Sequence, residues 1–206
     1  MRHFAFASVS LATLAALASL WLVSPRAEAQ MLPGSDPGAL DVPELGQDEL
    51  RVLRFFQRRH TGLADRQLPH LAETLVNEAR RYRLEIDLVL AVIFVESSGY
   101  NFAVSPVGAR GLMQIMPATG EHLAKRHRIP WHGADALFDP ALNLRLGTSY
   151  LRQLINRYDG EVDAALAAYN WGPGHIDRRL ASGERLPRIY PELVRDALET
   201  RVGQRS

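Results

Sequence analysis

The chain has 206 residues, of which 47% are hydrophobic and 23% charged, and its formal net charge is +1. This length suggests one domain with extensions, and the apolar fraction is ample for a buried core. The balanced charge gives no support to nucleic-acid binding, and the absence of cysteine excludes disulfides and a lipid attached through an N-terminal cysteine.

Residues 1–29 have the features of an export signal. A weakly positive start precedes a mostly apolar run over residues 4–23, and Ala27-Glu28-Ala29 is a cleavage site of the small-x-small kind. The alternative is a retained membrane anchor, because about 20 apolar residues can just span a bilayer. Polar residues inside the run and the cleavage pattern favour removal after Ala29. The sequence therefore predicts an exported, periplasmic protein without a stable membrane anchor.

Two extensions follow the signal. Residues 30–46 contain three prolines and three glycines, which predicts a flexible linker. Residues 47–66 predict a helical extension, in which Leu50, Leu53 and Phe56 have the spacing of a short amphipathic helix. Segment 47–60 either docks on the domain or contacts a protein partner in the cell envelope. Docking is the simpler interpretation.

Apolar residues at helical spacing predict an all-α domain over residues 67–200, followed by a tail at 201–206. Pro69 suits the first turn of a helix that runs to Tyr82. Asp87 opens the next helix, which contains the apolar run 88–95 and ends at Gly99. That run could be a buried strand on pattern alone, but no other strand-like run is available to pair with it. The remaining predictions are a helical segment over 109–125 that is interrupted or restarted near Pro117, a loop over 131–140, helices over 143–158 and 162–169, a break at 170–174, and a last helix from Pro191 to Leu198.

One carboxylate, Glu96, ends the apolar run at the edge of the predicted core. Partial burial disfavours a charged carboxylate and raises its pKa. A proton donor that works near neutral pH needs such a shift. Taken alone, however, a glutamate at a helix end is more often an ordinary surface carboxylate.

Three motifs give this carboxylate a context: Glu96-Ser97, Gly111-Leu112-Met113-Gln114 and Ala168-Tyr169-Asn170. In order and spacing they resemble the soluble lytic transglycosylase-like (SLT) family, whose members are relatives of goose-type lysozyme. The likeness runs from about residue 71 to about residue 179. It implies a lysozyme-like, mainly α fold and a peptidoglycan substrate, cleaved between N-acetylmuramic acid and N-acetylglucosamine.

The chain departs from the family pattern at two positions after Glu96. Gly99 stands where family members often have an aromatic residue, and Asn101 stands where many have proline. These changes bear on the shape of the loop more than on its chemistry.

The resemblance implies that Glu96 is the sole general acid and base. Glycosidases usually employ two carboxylates, about 5–5.5 Å apart for retention or 6.5–9.5 Å for inversion. Asp135, Asp139 and Asp163 are better explained as cap or turn residues. A single acid suffices when the substrate supplies its own nucleophile. In the family the muramoyl N-acetyl oxygen assists departure of the leaving group, and the C6 hydroxyl then closes a 1,6-anhydro ring.

The candidate substrate contacts are Ser105, Met113, Gln114, Tyr150, Tyr169, Asn170 and Trp171. Ser105, nine residues after Glu96, could orient the N-acetyl or C6 group, or be a turn serine before Pro106. Gln114 can both donate and accept hydrogen bonds. Met113 offers a soft apolar surface to a sugar, although such a methionine is more often core.

The other candidates also have two interpretations. Tyr169 is expected to hydrogen-bond near the Glu96 carboxylate, or to be a core aromatic residue. Asn170 binds the glycan or caps the turn, and Trp171, where alanine is common, stacks on a sugar or packs the loop. Tyr150 is the weakest candidate and suits packing better.

No metal and no cofactor are predicted, because the seven histidines show no metal-ligand spacing and there is no cysteine. Two alternatives to a lytic transglycosylase stay open. One is a peptidoglycan hydrolase of the same fold, and the other is a glycan-binding accessory of a cell-envelope secretion machine.

Overall fold

The computed structural model of the protein describes residues 45–202. The predicted signal peptide and nearly all of the predicted linker lie outside the described residues, as do positions 203–206. Among the described helices, none combines the length and the apolar character needed to cross a bilayer.

The described part of the chain is mainly helical, which confirms the predicted fold class. Its α-helices are α1 (Gln47–Gln57), α2 (Leu68–Arg81), α3 (Ile86–Ser97), α4 (Pro117–Arg126), α5 (Pro140–Arg157), α6 (Val162–Trp171), α7 (Pro173–Ala181) and α8 (Ile189–Ala197). Short 3-10 helices occupy Asp65–Gln67 and Ala134–Phe138, and a π-helical turn covers Leu198–Val202.

Helix α3 lies inside the fold because it is apolar on nearly every face. Val89, Ala91, Val92 and Ile93 are fully buried. Helix α2 and helix α8 with the following π-helical turn pack against it, while α5 packs on α2 and α6. A helix that is apolar all round is stable only when other elements cover it. This packing brings the carboxyl end of α3 close to α8.

The extension at the start of the described chain is docked on the domain. Helix α1 buries Val52, Phe55 and Phe56 and packs along α2. Arg80 of α2 also pairs with Asp48 of α1, at 2.9 Å. Much of the apolar face of α1 is therefore used within the chain, as the docking interpretation predicts.

Some predicted boundaries were wrong. Residues 109–116 form tight turns instead of a helix, because Gly111 and Gln114 have left-handed φ angles of 81° and 47°. The helix begins only at Pro117, where a missing N–H costs no hydrogen bond. The predicted loop 131–140 contains a 3-10 helix. Helix α7 was missed, because Gly172 and Pro173 mark a joint between two helices and not the end of helical structure.

Candidate functional site

Glu96 lies in the last turn of α3, where the helix meets an irregular loop. The helix ends at Ser97, and Ser98 then adopts a left-handed conformation with φ of 54°. Glu96 is partly buried, and the Tyr190 hydroxyl of α8 donates a hydrogen bond to Glu96 Oε1 at 2.5 Å. The carboxylate is thus held at the edge of the core by a residue 94 positions away in the sequence.

Two opposing contributions determine the pKa of Glu96. Burial raises it and the hydrogen bond from Tyr190 lowers it, with a resulting pKa of about 7. Burial dominates because the protein interior solvates a carboxylate poorly. The direction agrees with the prediction from the apolar run. A carboxyl group with this pKa is present in both protonation states near neutral pH.

Three tyrosines from three helices form a cluster at the carboxylate: Tyr150 of α5, Tyr169 of α6 and Tyr190 of α8. The rings of Tyr169 and Tyr190 are stacked, with centroids 6.3 Å apart and planes 11° apart. The Tyr150 ring lies 5.4 Å from that of Tyr169. Burial, followed by the charge of Glu96, raises the pKa of Tyr169 and of Tyr190 well above the usual 10. Both phenols therefore remain protonated donors over the physiological pH range.

The hydrogen bond expected from Tyr169 to the region of the carboxylate goes elsewhere. The Tyr169 hydroxyl donates to the main-chain carbonyl of Met113 at 2.8 Å, and Tyr190 takes the place beside Glu96. Tyr190 was missed by sequence reasoning because nothing in the local pattern of Ile189-Tyr190-Pro191 distinguishes it. Only the packing of α8 on α3 reveals its position.

The loop after Glu96 is joined to the Gly-Leu-Met-Gln motif by side-chain hydrogen bonds. The Ser97 hydroxyl donates to the carbonyl of Leu112 at 2.8 Å. The Gln114 amide donates to the carbonyls of Ala103 and Gly111, at 3.0 and 2.9 Å. The first two motifs therefore form one compact unit, and the Gln114 amide nitrogen is already engaged within it.

Ser105 lies in the same loop and also has a structural contact. Its hydroxyl oxygen accepts a hydrogen bond from the main-chain N–H of Ala109 at 3.0 Å, as the turn interpretation expects. The side chain is half-exposed. Its hydroxyl proton can still be offered to a ligand.

Asn143 of α5 organises this loop and was not identified from the sequence. The side chain is fully buried, accepts from the N–H of Met113 and donates to the carbonyls of Arg110 and Leu137. Gly111 is required beside it, because a Cβ there would lie 2.2 Å from Asn143 Nδ2. The glycine of the motif is thus explained by close packing.

Met113 is corrected from a substrate contact to a core residue. Its side chain is fully buried and packs on Gly147, where an added Cβ would lie 2.4 Å from the Met113 sulfur. The side chain cannot reach a sugar, and its contribution to the site is the main-chain carbonyl that accepts from Tyr169.

The last candidates lie at the end of α6, directly after Tyr169. Asn170 is exposed. Trp171 is partly buried, and its ring stacks on His175 of α7 with centroids 5.1 Å apart. The tryptophan therefore has a packing partner on one side.

The three aspartates considered as second acids all have structural partners. Asp139 caps α5 by accepting from the N–H of Leu142 at 2.8 Å. Asp135 pairs with Arg110, and Asp163 pairs with Arg195 at 2.8 Å. Between residues 45 and 202, no group of three His, Asp or Glu side chains is placed to hold a metal ion.

Comparison with known proteins identifies a family and several relatives. Residues 73–189 match the family described as the transglycosylase SLT domain. The chain is 42% identical over 88 residues to a soluble lytic murein transglycosylase of Salmonella typhimurium, an alignment covering 42% of this chain and 14% of that protein. It is 40% identical over 100 residues to a transglycosylase of Enterobacteria phage PRD1, covering 48% of this chain and 34% of that protein.

A solved structure is similar at the level of the fold. The lytic transglycosylase Slt of Pseudomonas aeruginosa, solved as an inactive glutamate-to-glutamine mutant, has a TM-score of 0.51 and 34% identity. The match covers 63% of this chain and 22% of that one. The chain therefore corresponds to a small part of the length of these relatives.

Proposed function

The chain belongs to the transglycosylase SLT domain family, and on that premise we propose that the protein is a peptidoglycan lytic transglycosylase. The reaction cleaves the β-1,4 bond between N-acetylmuramic acid and N-acetylglucosamine in peptidoglycan. The observation that carries the proposal is the burial of Glu96 against Tyr190, with a pKa of about 7.

In the first step Glu96 acts as general acid. Its carboxyl proton passes to the bridging oxygen, the bond from that oxygen to C1 of the muramoyl residue breaks, and the N-acetyl oxygen of the same residue bonds to C1. A second carboxylate is unnecessary, because the substrate supplies the nucleophile.

In the second step Glu96, now ionised, acts as general base. It takes the proton of the C6 hydroxyl while that oxygen attacks C1 and displaces the N-acetyl oxygen, which closes the 1,6-anhydro ring. The C6 hydroxyl competes with water because a tethered nucleophile has a very high effective molarity. Glu96 ends protonated, as it began, and no water is consumed.

Two further observations support Glu96 as the catalytic carboxyl group. The three aspartates considered as a possible second acid are already engaged, one as a helix cap and two in ion pairs. In addition, the Pseudomonas aeruginosa relative was solved as an inactive glutamate-to-glutamine mutant. That relative therefore requires this glutamate for activity.

In this proposal, the substrate contacts come from two regions on either side of Glu96. Ser105 and Gln114 belong to the loop after α3, and Asn170, Trp171 and Tyr150 belong to the region around the end of α6. Peptidoglycan lies outside the cytoplasm, so the proposal requires export, as the features of residues 1–29 predict.

Digestion of purified peptidoglycan sacculi tests the proposal. We expect the wild-type protein to release muropeptides one water lighter than hydrolysis would give, and Glu96→Gln to release none, as measured by mass spectrometry. Glu121→Gln, which changes an exposed carboxylate on α4, is the matched control and should act like the wild type. Products with ordinary reducing ends would indicate the hydrolase instead, and release by Glu96→Gln would contradict the role of Glu96.

A further inference from the structure

The two oxygens of the Glu96 carboxyl group have different surroundings. Oε1 accepts the hydrogen bond from Tyr190 at 2.5 Å. No group within residues 45–202 donates to Oε2. A carboxyl group with one oxygen engaged by a donor carries and exchanges its own proton more readily on the other oxygen, whose lone pairs are free.

We propose that Tyr190 is a positioning residue for the reaction, because its hydroxyl fixes Oε1 and assigns proton transfer to Oε2. The proposal deepens the proposed function and depends on it. Tyr190 touches neither the scissile bond nor the C6 hydroxyl in this role. It acts through Glu96 and keeps one oxygen directed at the substrate in both steps.

The Tyr190 side chain is itself held in place by its neighbours. Tyr190 is 3% exposed, and its ring is stacked on Tyr169. Tyr169 is in turn held by its hydrogen bond to the carbonyl of Met113. The position of the Glu96 carboxylate on α3 is therefore determined by contacts with α8, α6 and the loop before α4. Catalytic groups need such support, because small displacements reduce proton transfer strongly.

The groups around the Glu96 carboxylate determine how its pKa changes when the Tyr190 hydroxyl is removed. Tyr190 from α8 donates to it, Tyr169 from α6 lies beside it, and Tyr150 from α5 packs against Tyr169. The hydrogen bond from Tyr190 favours the ionised carboxylate and lowers its pKa. Loss of that hydroxyl must therefore raise the pKa of Glu96 and weaken its orientation together.

Titration of the Glu96 carboxyl carbon by NMR tests this without substrate. Protein labelled with 13C at the glutamate carboxyl group is titrated from pH 4 to pH 9, and the Glu96 signal is the one that Glu96→Gln removes. In Tyr190→Phe we expect the midpoint of Glu96 to rise by about one pH unit or more. Tyr82→Phe removes a tyrosine hydroxyl far from Glu96 and should leave the midpoint unchanged.

A second variant separates the hydroxyl of Tyr190 from the cluster as a whole. Tyr169→Phe keeps the bond between Tyr190 and Glu96, so we expect a clearly smaller shift of the midpoint. An unchanged midpoint in Tyr190→Phe, or an equal rise in both variants, would overturn the proposal. These outcomes are independent of the products formed from peptidoglycan, so they are distinct from a failure of the proposed function.

Turnover gives the complementary readout with soluble glycan oligomers. For Tyr190→Phe we expect kcat to fall about tenfold or more with little change in KM, and the alkaline limb of the pH profile to move to higher pH. A rise in KM with kcat unchanged would show that Tyr190 binds substrate, which contradicts a positioning role.

Discussion

At the scale of single residues, the site is organised around a carboxyl group kept where ionisation is unfavourable. Burial raises the pKa of Glu96 to about 7, far above that of an exposed glutamate, even though Tyr190 partly compensates. A group with this pKa can give up a proton and accept one within the same pH range. The same property lowers the stability of the folded protein whenever the group is ionised.

This linkage predicts that Glu96→Gln stabilises the protein at high pH. The folded pKa is raised above the unfolded value, so the contribution of Glu96 is most favourable below about pH 4 and is lost as the pH rises through about 7. At pH 8.5 we expect Glu96→Gln to increase the free energy of unfolding by on the order of 2–3 kcal/mol, and much less at pH 4.5. Urea unfolding measures both values.

Glu121→Gln is the control for this comparison, since its side chain is exposed on α4. It should change the free energy of unfolding by less than about 0.5 kcal/mol at either pH. If Glu96→Gln changed the free energy of unfolding by the same amount at both pH values, Glu96 would not be desolvated in the folded protein.

At the scale of elements, the N-terminal extension contacts both positions at which the chain departs from the family pattern. Gly99 has a left-handed φ of 88°, which favours glycine, and a Cβ there would also lie 3.1 Å from Arg59 Cδ. The N–H of Asn101 donates to the carbonyl of Thr61 at 2.9 Å, a bond that proline could not make. The segment that follows α1 therefore packs directly against the loop that carries the site.

Removal of one α1 side chain from the core tests whether the extension is part of the fold. Phe56 is fully buried, so Phe56→Ala should reduce the free energy of unfolding by about 3–5 kcal/mol. Leu50 on the same helix is 40% exposed, and we expect Leu50→Ala to cost less than about 1 kcal/mol. Thermal or urea unfolding distinguishes the two, and similar small effects would mean that α1 is only loosely attached.

At the scale of the whole molecule, the sequence predicted features that depend on neighbouring residues but not contacts between residues that are far apart in the chain. The apolar run 88–95 predicted a buried segment and a carboxylate with a raised pKa, because both follow from apolar neighbours in the chain. Its helical form was predicted only because no other strand-like run was available to pair with it. The contact of Tyr190 with Glu96 spans 94 residues and could not be predicted from either neighbourhood. The direction of the Met113 side chain likewise depends on its packing against Gly147.

The central claim is that Glu96 alone transfers protons in both steps while the substrate closes its own ring. Digestion of sacculi in water enriched in 18O, followed by mass spectrometry of the released muropeptides, tests it most directly. We expect no 18O in the new muramoyl ends, because no water enters the reaction. Incorporation of one 18O at each cleaved bond would contradict the account.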